Sequence, residues 1–117
     1  MTFKEVATMV STIGIPYTYY QFDRGTAVPP PFICFYYDSN NDMVADNTNY
    51  QSIEHLVIEL YTESKDFSLE KTVETTLNNN GIVYRRYEQA IESERLYEVV
   101  FEADVVITEE ITNGQQS

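Results

Sequence analysis

Hydrophobic positions recur at every second residue in the middle of the chain, between residues 53 and 61. Leu56, Ile58 and Leu60 fall on one side of an extended segment, and the residues between them fall on the other. This period-two pattern is typical of a strand with one buried face. The segment therefore predicts a strand around which the rest of the fold is built.

Two segments carry hydrophobic residues at helical spacing. One helix, 3–13, begins with the capping-box pair Thr2 and Glu5. The other, 68–79, follows the strand, and Ser68 is its expected N-cap. Each helix presents an apolar stripe that has to pack on an apolar surface. The apolar face of the strand is the nearest such surface, so we expect both helices on the same side of a sheet.

The remaining extended segments complete the sheet. Alternate residues from Tyr97 to Ile107 are hydrophobic, which predicts a strand with a dry face and an acidic face. The element order α-β-β-β-α-β-β predicts an α+β fold, a two-layer sandwich with two helices on one face of a mostly antiparallel sheet of about five strands. The other predicted strands are 16–22, 32–37, 82–91 and 95–107, with a polar loop at 38–50. The predicted core is built on Leu56, Ile58, Leu60, Val99, Phe101 and Val105.

Length and charge restrict the class of protein. A chain of 117 residues predicts one domain, 1–110, followed by a polar tail, 111–117. The net charge of −12 argues against binding to nucleic acid or to an anionic membrane. No apolar run approaches the ~20 residues of a membrane span, and the N-terminus lacks the features of a signal peptide. We therefore expect a soluble, cytosolic protein.

Candidate chemistry is sparse. The spacing Asp38-x-Asn40-x-Asp42 opens like a calcium loop, but the turn glycine is missing and Asn49 stands in place of the bidentate glutamate. His55 is the single histidine, and no serine lies in a nucleophile-elbow context. We expect no catalytic residue, no metal and no cofactor, so the chain is not predicted to be an enzyme.

A set of short motifs in the second half of the chain carries a resemblance to a known family. The motifs are Ala45-Asp46-Asn47-x-x-Tyr50, Ile58-Glu59-Leu60-Tyr61-Thr62-x-x-Lys65-Asp66, Glu70-x-x-Val73-Glu74-x-x-Leu77, Gly81-Ile82-x-Tyr84 and Ile91-Glu92-Ser93-Glu94-x-Leu96-Tyr97-Glu98-x-x-Phe101-Glu102.

With these motifs the chain resembles the small prophage-encoded tail-completion and tail-terminator proteins of long-tailed bacteriophages that infect Gram-positive bacteria. The resemblance spans about residues 3–107 and implies an α+β subunit of a ring, commonly hexameric, at the head-proximal end of the tail tube. It implies as partners other copies of the chain, the tail-tube protein and head-connector proteins. It also implies assembly in the cytoplasm of the bacterial host and a final place in the virion. The family has no active-site residues to transfer.

The expected assembly surface combines the polar, aromatic face of the sheet with the 38–50 loop. An alternative is a monomeric acidic interaction module or inhibitor that binds a basic protein. If a ring surrounds passing DNA, its acidic lumen would repel phosphates and let the duplex slide. The candidate interface residues are Asp46, Asn47, Tyr50, Tyr61, Tyr84 and Tyr97.

Overall fold

The computed structural model describes residues 1–23, 25, 28–45 and 49–110, with residues 39–45, 49 and 50 described by their backbone alone. Elements within these ranges follow the predicted order, and the α+β class is confirmed. A short 3-10 turn, Glu92–Glu94, joins the last two strands. The elements are α1 (Phe3–Ser11), β1 (Tyr17–Tyr19), β2 (Phe32–Ala45), β3 (Asn49–Thr62), α2 (Phe67–Asn79), β4 (Arg85–Ile91) and β5 (Leu96–Glu110).

The strands form one mixed sheet in the order β1-β2-β3-β5-β4. β1 pairs with β2 in parallel, and the other neighbours are antiparallel. β3 lies in the middle of the sheet. It pairs with β2 on one side, and over its whole length, from Asn49 to Thr62, it pairs with β5 on the other. The strand predicted to organise the fold is thus the central strand of the sheet.

The hydrophobic core lies between the two helices and one face of the sheet, as predicted. Val6 and Val10 of α1, with Val73 and Leu77 of α2, belong to the same buried cluster as the strand residues. All six residues expected in the core are buried, which confirms the assignment of faces in β3 and β5. These six are Leu56, Ile58, Leu60, Val99, Phe101 and Val105.

Both helix starts are capped by side chains, and one prediction needs correction. In α1 the capping box is present, because Glu5 N donates to Thr2 Oγ1 at 3.0 Å and Thr2 N donates to Glu5 Oε1 at 2.8 Å. In α2 the N-cap is Asp66, whose Oδ1 accepts from Leu69 N at 2.9 Å. Ser68 was the wrong choice because the helix begins at Phe67. Neither helix in the described part of the chain is long and apolar enough to cross a membrane.

The polar loop predicted at 38–50 is wrong. β2 continues to Ala45 and β3 begins at Asn49, so most of this segment is strand. Backbone pairing with β3 supplies hydrogen bonds whatever the side chains are, and it outweighs the low strand propensity of Asn and Asp. Irregularities in register between Tyr37 and Asp42 break the alternation that sequence patterns rely on. The calcium-type spacing therefore falls on a paired strand.

Other element boundaries also differ from the predicted ones. β1 is limited to Tyr17–Tyr19 because Tyr20 adopts a positive φ of 68°, and α1 ends at Ser11 instead of at residue 13. β4 begins at Arg85, three residues later than predicted, whereas β5 extends to Glu110. These are end effects, since helix and strand termini are the least determined parts of a sequence pattern.

A buried ionic network attaches α2 to the edge strand β4. The Glu70 carboxylate is almost fully buried, and its Oε1 accepts from Lys65 Nζ at 2.7 Å and from Arg86 Nη2 at 2.8 Å. Arg86 also donates to Glu88 at 3.0 Å. Since the side chains of β4 are largely exposed, this network supplements the pairing of β4 with β5.

Leu60→Ala tests the assigned core face. Leu60 is 0% exposed, so the truncation should lower the free energy of unfolding by about 2–5 kcal/mol, the usual cost of a buried large-to-small change. Val83→Ala is the matched control, because Val83 is 89% exposed and should lose almost nothing. Urea denaturation followed by circular dichroism measures both. Equal stability of the two variants would contradict the assigned face.

Candidate assembly surface

The sheet face opposite the helices, called the open face here, carries the alternate residues of four strands. β3 places His55, Val57, Glu59 and Tyr61 on it, as its alternation predicted. The neighbouring strands add aromatic and charged side chains in register with these residues. They are Phe32, Cys34 and Tyr36 from β2, Glu98, Val100, Glu102 and Asp104 from β5, and Arg85, Tyr87 and Gln89 from β4.

A groove of about 770 Å³ lies on the open face. Its floor is formed by side chains of β2 and β3, including Phe32, Tyr36 and Tyr61. One wall is the 20–22 segment that follows β1, and the other is the 91–96 segment around the turn between β4 and β5. Phe32 stacks on Tyr61 with ring centroids 5.0 Å apart and meets Phe22 edge to face at 5.5 Å, so aromatic rings line this end of the groove.

Several open-face residues are buried although no helix covers them. Cys34, Val57 and Val100 are each almost inaccessible to solvent. In register, Val100 lies between Glu59 and Tyr87, and larger side chains of this kind shield small ones in a twisted sheet. Burial raises the pKa of the Cys34 thiol to about 11, so the thiol remains protonated and unreactive at neutral pH.

Two carboxyl groups meet at the base of the groove. Glu59 lies diagonally across from Glu98, which is 4% exposed and accepts from Gln89 Nε2 at 2.6 Å. The Tyr61 hydroxyl donates to Glu59 Oε1 at 3.3 Å, and the Tyr36 hydroxyl donates to Oε2 at 3.5 Å. Burial, followed by repulsion from the Glu98 carboxylate, raises the pKa of Glu59 to about 7. The neutral form of Glu59 is therefore populated well above the pH at which an ordinary glutamate ionises.

His55 forms a second ionic cluster on the same face. Its Nε2 lies 2.6 Å from Glu102 Oε1, and its Nδ1 lies 2.9 Å from Asp104 Oδ1. Only the imidazolium form donates from both ring nitrogens, so these contacts favour the charged ring. The hydrogen bond to Asp104, followed by the one to Glu102, raises the pKa of His55. Both ring nitrogens of His55 are therefore engaged with carboxylates of β5.

The candidate interface residues do not form one surface. Tyr61 lies on the open face, but Tyr84 and Tyr97 pack against the core on the helix side of the sheet. Asp46 and Asn47 lie outside the described residues, and Tyr50 is placed by its backbone opposite Glu109 of β5. The expectation that the tyrosines share a polar, aromatic face is therefore wrong for two of the three whose side chains are described.

Sequence reasoning missed the groove and both ionic clusters. Glu59 and Glu98 were assigned to the correct face, but their proximity depends on the register between β3 and β5. The parity of Tyr97 with Val99 and Phe101 was a usable signal, since residues two apart in a strand share a face. That parity alone places Tyr97 on the helix side.

Comparisons with known proteins give a distant structural similarity. No family model matches the chain, and no curated protein matches it. Similar solved structures include a chain of the "Virion of native gene transfer agent (GTA) particle", with 15% sequence identity and a TM-score of 0.48. The similarity covers 89% of this chain and 88% of that chain. A similarity this distant assigns neither a function nor a partner.

Glu59→Gln should stabilise the protein at alkaline pH. The folded-state pKa of Glu59, about 7, lies above its ordinary value of 4.5, so the stability associated with its neutral form is complete below pH 4.5 and is lost as pH rises through 7. At pH 8 the glutamine variant should be more stable than wild type by about 1–3 kcal/mol, and at pH 4 the two should be equal. Glu63→Gln, at an exposed position, is the control. Urea unfolding across this pH range measures the difference, and a pH-independent one would contradict the burial argument.

His55→Gln should destabilise the protein in mild acid more than in alkali. Because the pKa of His55 is raised in the folded state, its contribution is complete below the ordinary value of 6.5 and is lost as pH rises through the folded value. We expect a loss of about 1 kcal/mol at pH 6, as for partly exposed ion pairs, and a smaller loss at pH 9. Thermal melts at the two pH values measure it. A larger loss at pH 9 would contradict the imidazolium assignment.

Proposed function

We propose that the chain is a structural subunit of a bacteriophage-like virion that joins or forms a ring at the junction of tail and head. The proposal combines the motif resemblance to tail-completion and tail-terminator proteins with the properties of the open face. A structural subunit needs a stable scaffold and an exposed surface that recognises its neighbours, and it needs no catalytic group.

The observation that carries the proposal is the composition of the open face. Its centre contains buried apolar side chains, an aromatic groove and two ionic clusters. A sheet face that contacts only solvent usually carries polar side chains. Tyr87 is 51% exposed and Tyr20 is 61% exposed, and both lie at this face or its groove. Tyrosine is enriched at interfaces because it buries a large ring and keeps a hydroxyl for hydrogen bonding. The face therefore has the chemistry of an interface.

The hairpin of β2 and β3 is longer than the edge strands of the sheet. Each strand has 14 residues and would span about 45 Å if fully extended. β4 pairs only with the part of β5 from Leu96 to Glu102, and β1 pairs only with Ile33–Phe35 of β2. The outer half of the hairpin thus extends past both edge strands together with the end of β5. An extended three-stranded arm is suited to contact a neighbouring subunit.

Charge sets the conditions of assembly. Copies that each carry −12 repel one another, and salt screens this repulsion beyond about 8–10 Å at physiological ionic strength. We expect mostly monomer at low salt and larger species at high salt, at high protein concentration or with a virion partner. The same charge keeps the ring from adhering to DNA that passes through it.

Tyr87→Ala should weaken self-association at high salt. Truncating an interface tyrosine typically costs 1–2 kcal/mol, which corresponds to about tenfold in the association constant. Tyr17→Ala is the matched control, because Tyr17 is 41% exposed but pairs with Ile33 at the edge strand, where its side chain points to the helix side. Sedimentation equilibrium at low and high salt measures both. Equal loss in the two variants, or a strict monomer at every salt concentration, would contradict assembly of copies through the open face.

Particle production tests the virion role directly. In a host that makes the particles, loss of the gene should leave tails and heads unjoined or tails of irregular length in electron micrographs, and the wild-type gene should restore joined particles. Normal particles without the gene would contradict the proposed function and favour the monomeric interaction module.

A further inference from the structure

The groove on the open face is lined by several acidic side chains. Glu59, Glu94 and Asp38 line it, and Glu98 of the neighbouring strand β5 interacts with Glu59. Among the described residues, no lysine or arginine lines the groove. Two other carboxylate clusters in the described part of the chain each include cationic partners, His55 in one and Lys65 with Arg86 in the other. Within the described residues, the groove has carboxylates without a cation among its lining.

Aromatic rings surround these carboxylates. The stacked rings of Phe32 and Tyr61 form the floor beside Glu59, and Tyr20 contacts Tyr36 with ring centroids 5.7 Å apart. Ring faces attract cations, and a planar guanidinium stacks on them while its N–H groups bind carboxylates. The ammonium group of lysine can bind a carboxylate, but it has no plane that stacks on a ring. The combination of flat rings and carboxylates therefore suits arginine better than lysine.

We propose that this groove is the docking site for an arginine-bearing segment of a basic neighbouring protein, with the guanidinium against the rings of Phe32 and Tyr61 and directed toward Glu59. Charge complementarity identifies the occupant. The inference depends on the proposed function in one respect, namely that the neighbouring protein belongs to the virion. A second copy of the chain is disfavoured as the occupant because each copy carries −12.

Docking in the groove is coupled to the loss of a proton from Glu59. The groups that face Glu59 are Cys34 and Tyr36 of β2, Tyr61 of β3, Glu98 of β5 and Tyr87 of β4. A guanidinium that enters the groove places a positive charge beside Glu59 and therefore favours its ionised form. Arginine binding should therefore release a proton, and affinity should rise from pH 5 to pH 8.

A short capped peptide tests the site on the isolated protein. The probe is acetyl-Gly-Ser-Arg-Ser-Gly-amide, compared with the same peptide carrying citrulline, a neutral analogue of arginine of nearly equal shape, and with a lysine version. In NMR titrations at pH 8 the arginine peptide should shift the resonances of Phe32, Tyr36 and Tyr61, and the citrulline peptide should not. The lysine peptide should bind about fivefold more weakly, since it loses the planar stacking.

Variants connect the binding to Glu59. Glu59→Gln should weaken the arginine peptide about fivefold or more at pH 8 and should remove the rise in affinity with pH. Glu63→Gln removes the same charge at an exposed position outside the groove and should bind as wild type does. Equal binding of arginine and citrulline peptides, shifts confined to the helix side, or an unchanged Glu59→Gln variant would each overturn the proposal. Equal binding of the lysine peptide would overturn the assignment to arginine.

The two proposals fail separately. The peptide titration needs no virion, so absence of binding contradicts the groove as a docking site even if the particles depend on the gene. If the peptide binds but Glu59→Gln supports normal particle assembly, the role of the groove in assembly is contradicted. If particles form without the gene, the virion partner is wrong, whatever the peptide does.

Discussion

The central position of β3 is the constraint on which the rest of the structure depends. Most of its residues pair with β2 on one side, and all of them pair with β5 on the other, so each side chain faces either the helices or the open face. Leu56, Ile58 and Leu60 complete the core, and this fixes His55 and Glu59 on the open side. A register shift of one residue would put both polar groups under the helices. The dry core thereby determines where the open-face charges lie.

Local patterns predicted the faces of the sheet because each strand reports its own alternation. Contacts between strands were not predictable in this way. His55 and Asp104 are 49 positions apart in the chain, and whether they meet depends on the register of β3 against β5. Many registers keep hydrophobic residues on the core side, and each brings different polar residues together. The ionic clusters and the groove therefore depend on the register between strands, and that register cannot be read from a single sequence.

Two misplaced features show where side-chain identity misleads. The 38–50 segment is polar, yet backbone pairing makes most of it strand. Tyr84 is amphipathic and was taken as an interface residue, but its ring packs against Phe101 and its hydroxyl donates to Glu74 at 2.9 Å. The same two-sided chemistry that suits tyrosine to an interface also suits it to the border of a core. Position in the alternation separates these cases, and residue type does not.

The two carboxylate clusters of the open face have different consequences for burial in an interface. His55 supplies one positive charge between Glu102 and Asp104, so covering that cluster removes less uncompensated charge from water than two bare carboxylates would. Glu59 and Glu98 compete for ionisation, and covering them strengthens the penalty on the charged form. An interface over the groove must therefore either keep the proton or supply a cation. Contact between two acidic copies requires the proton and is favoured in acid. Contact with a basic neighbour expels the proton and is favoured at neutral pH, so the pH dependence of assembly distinguishes the two kinds of contact.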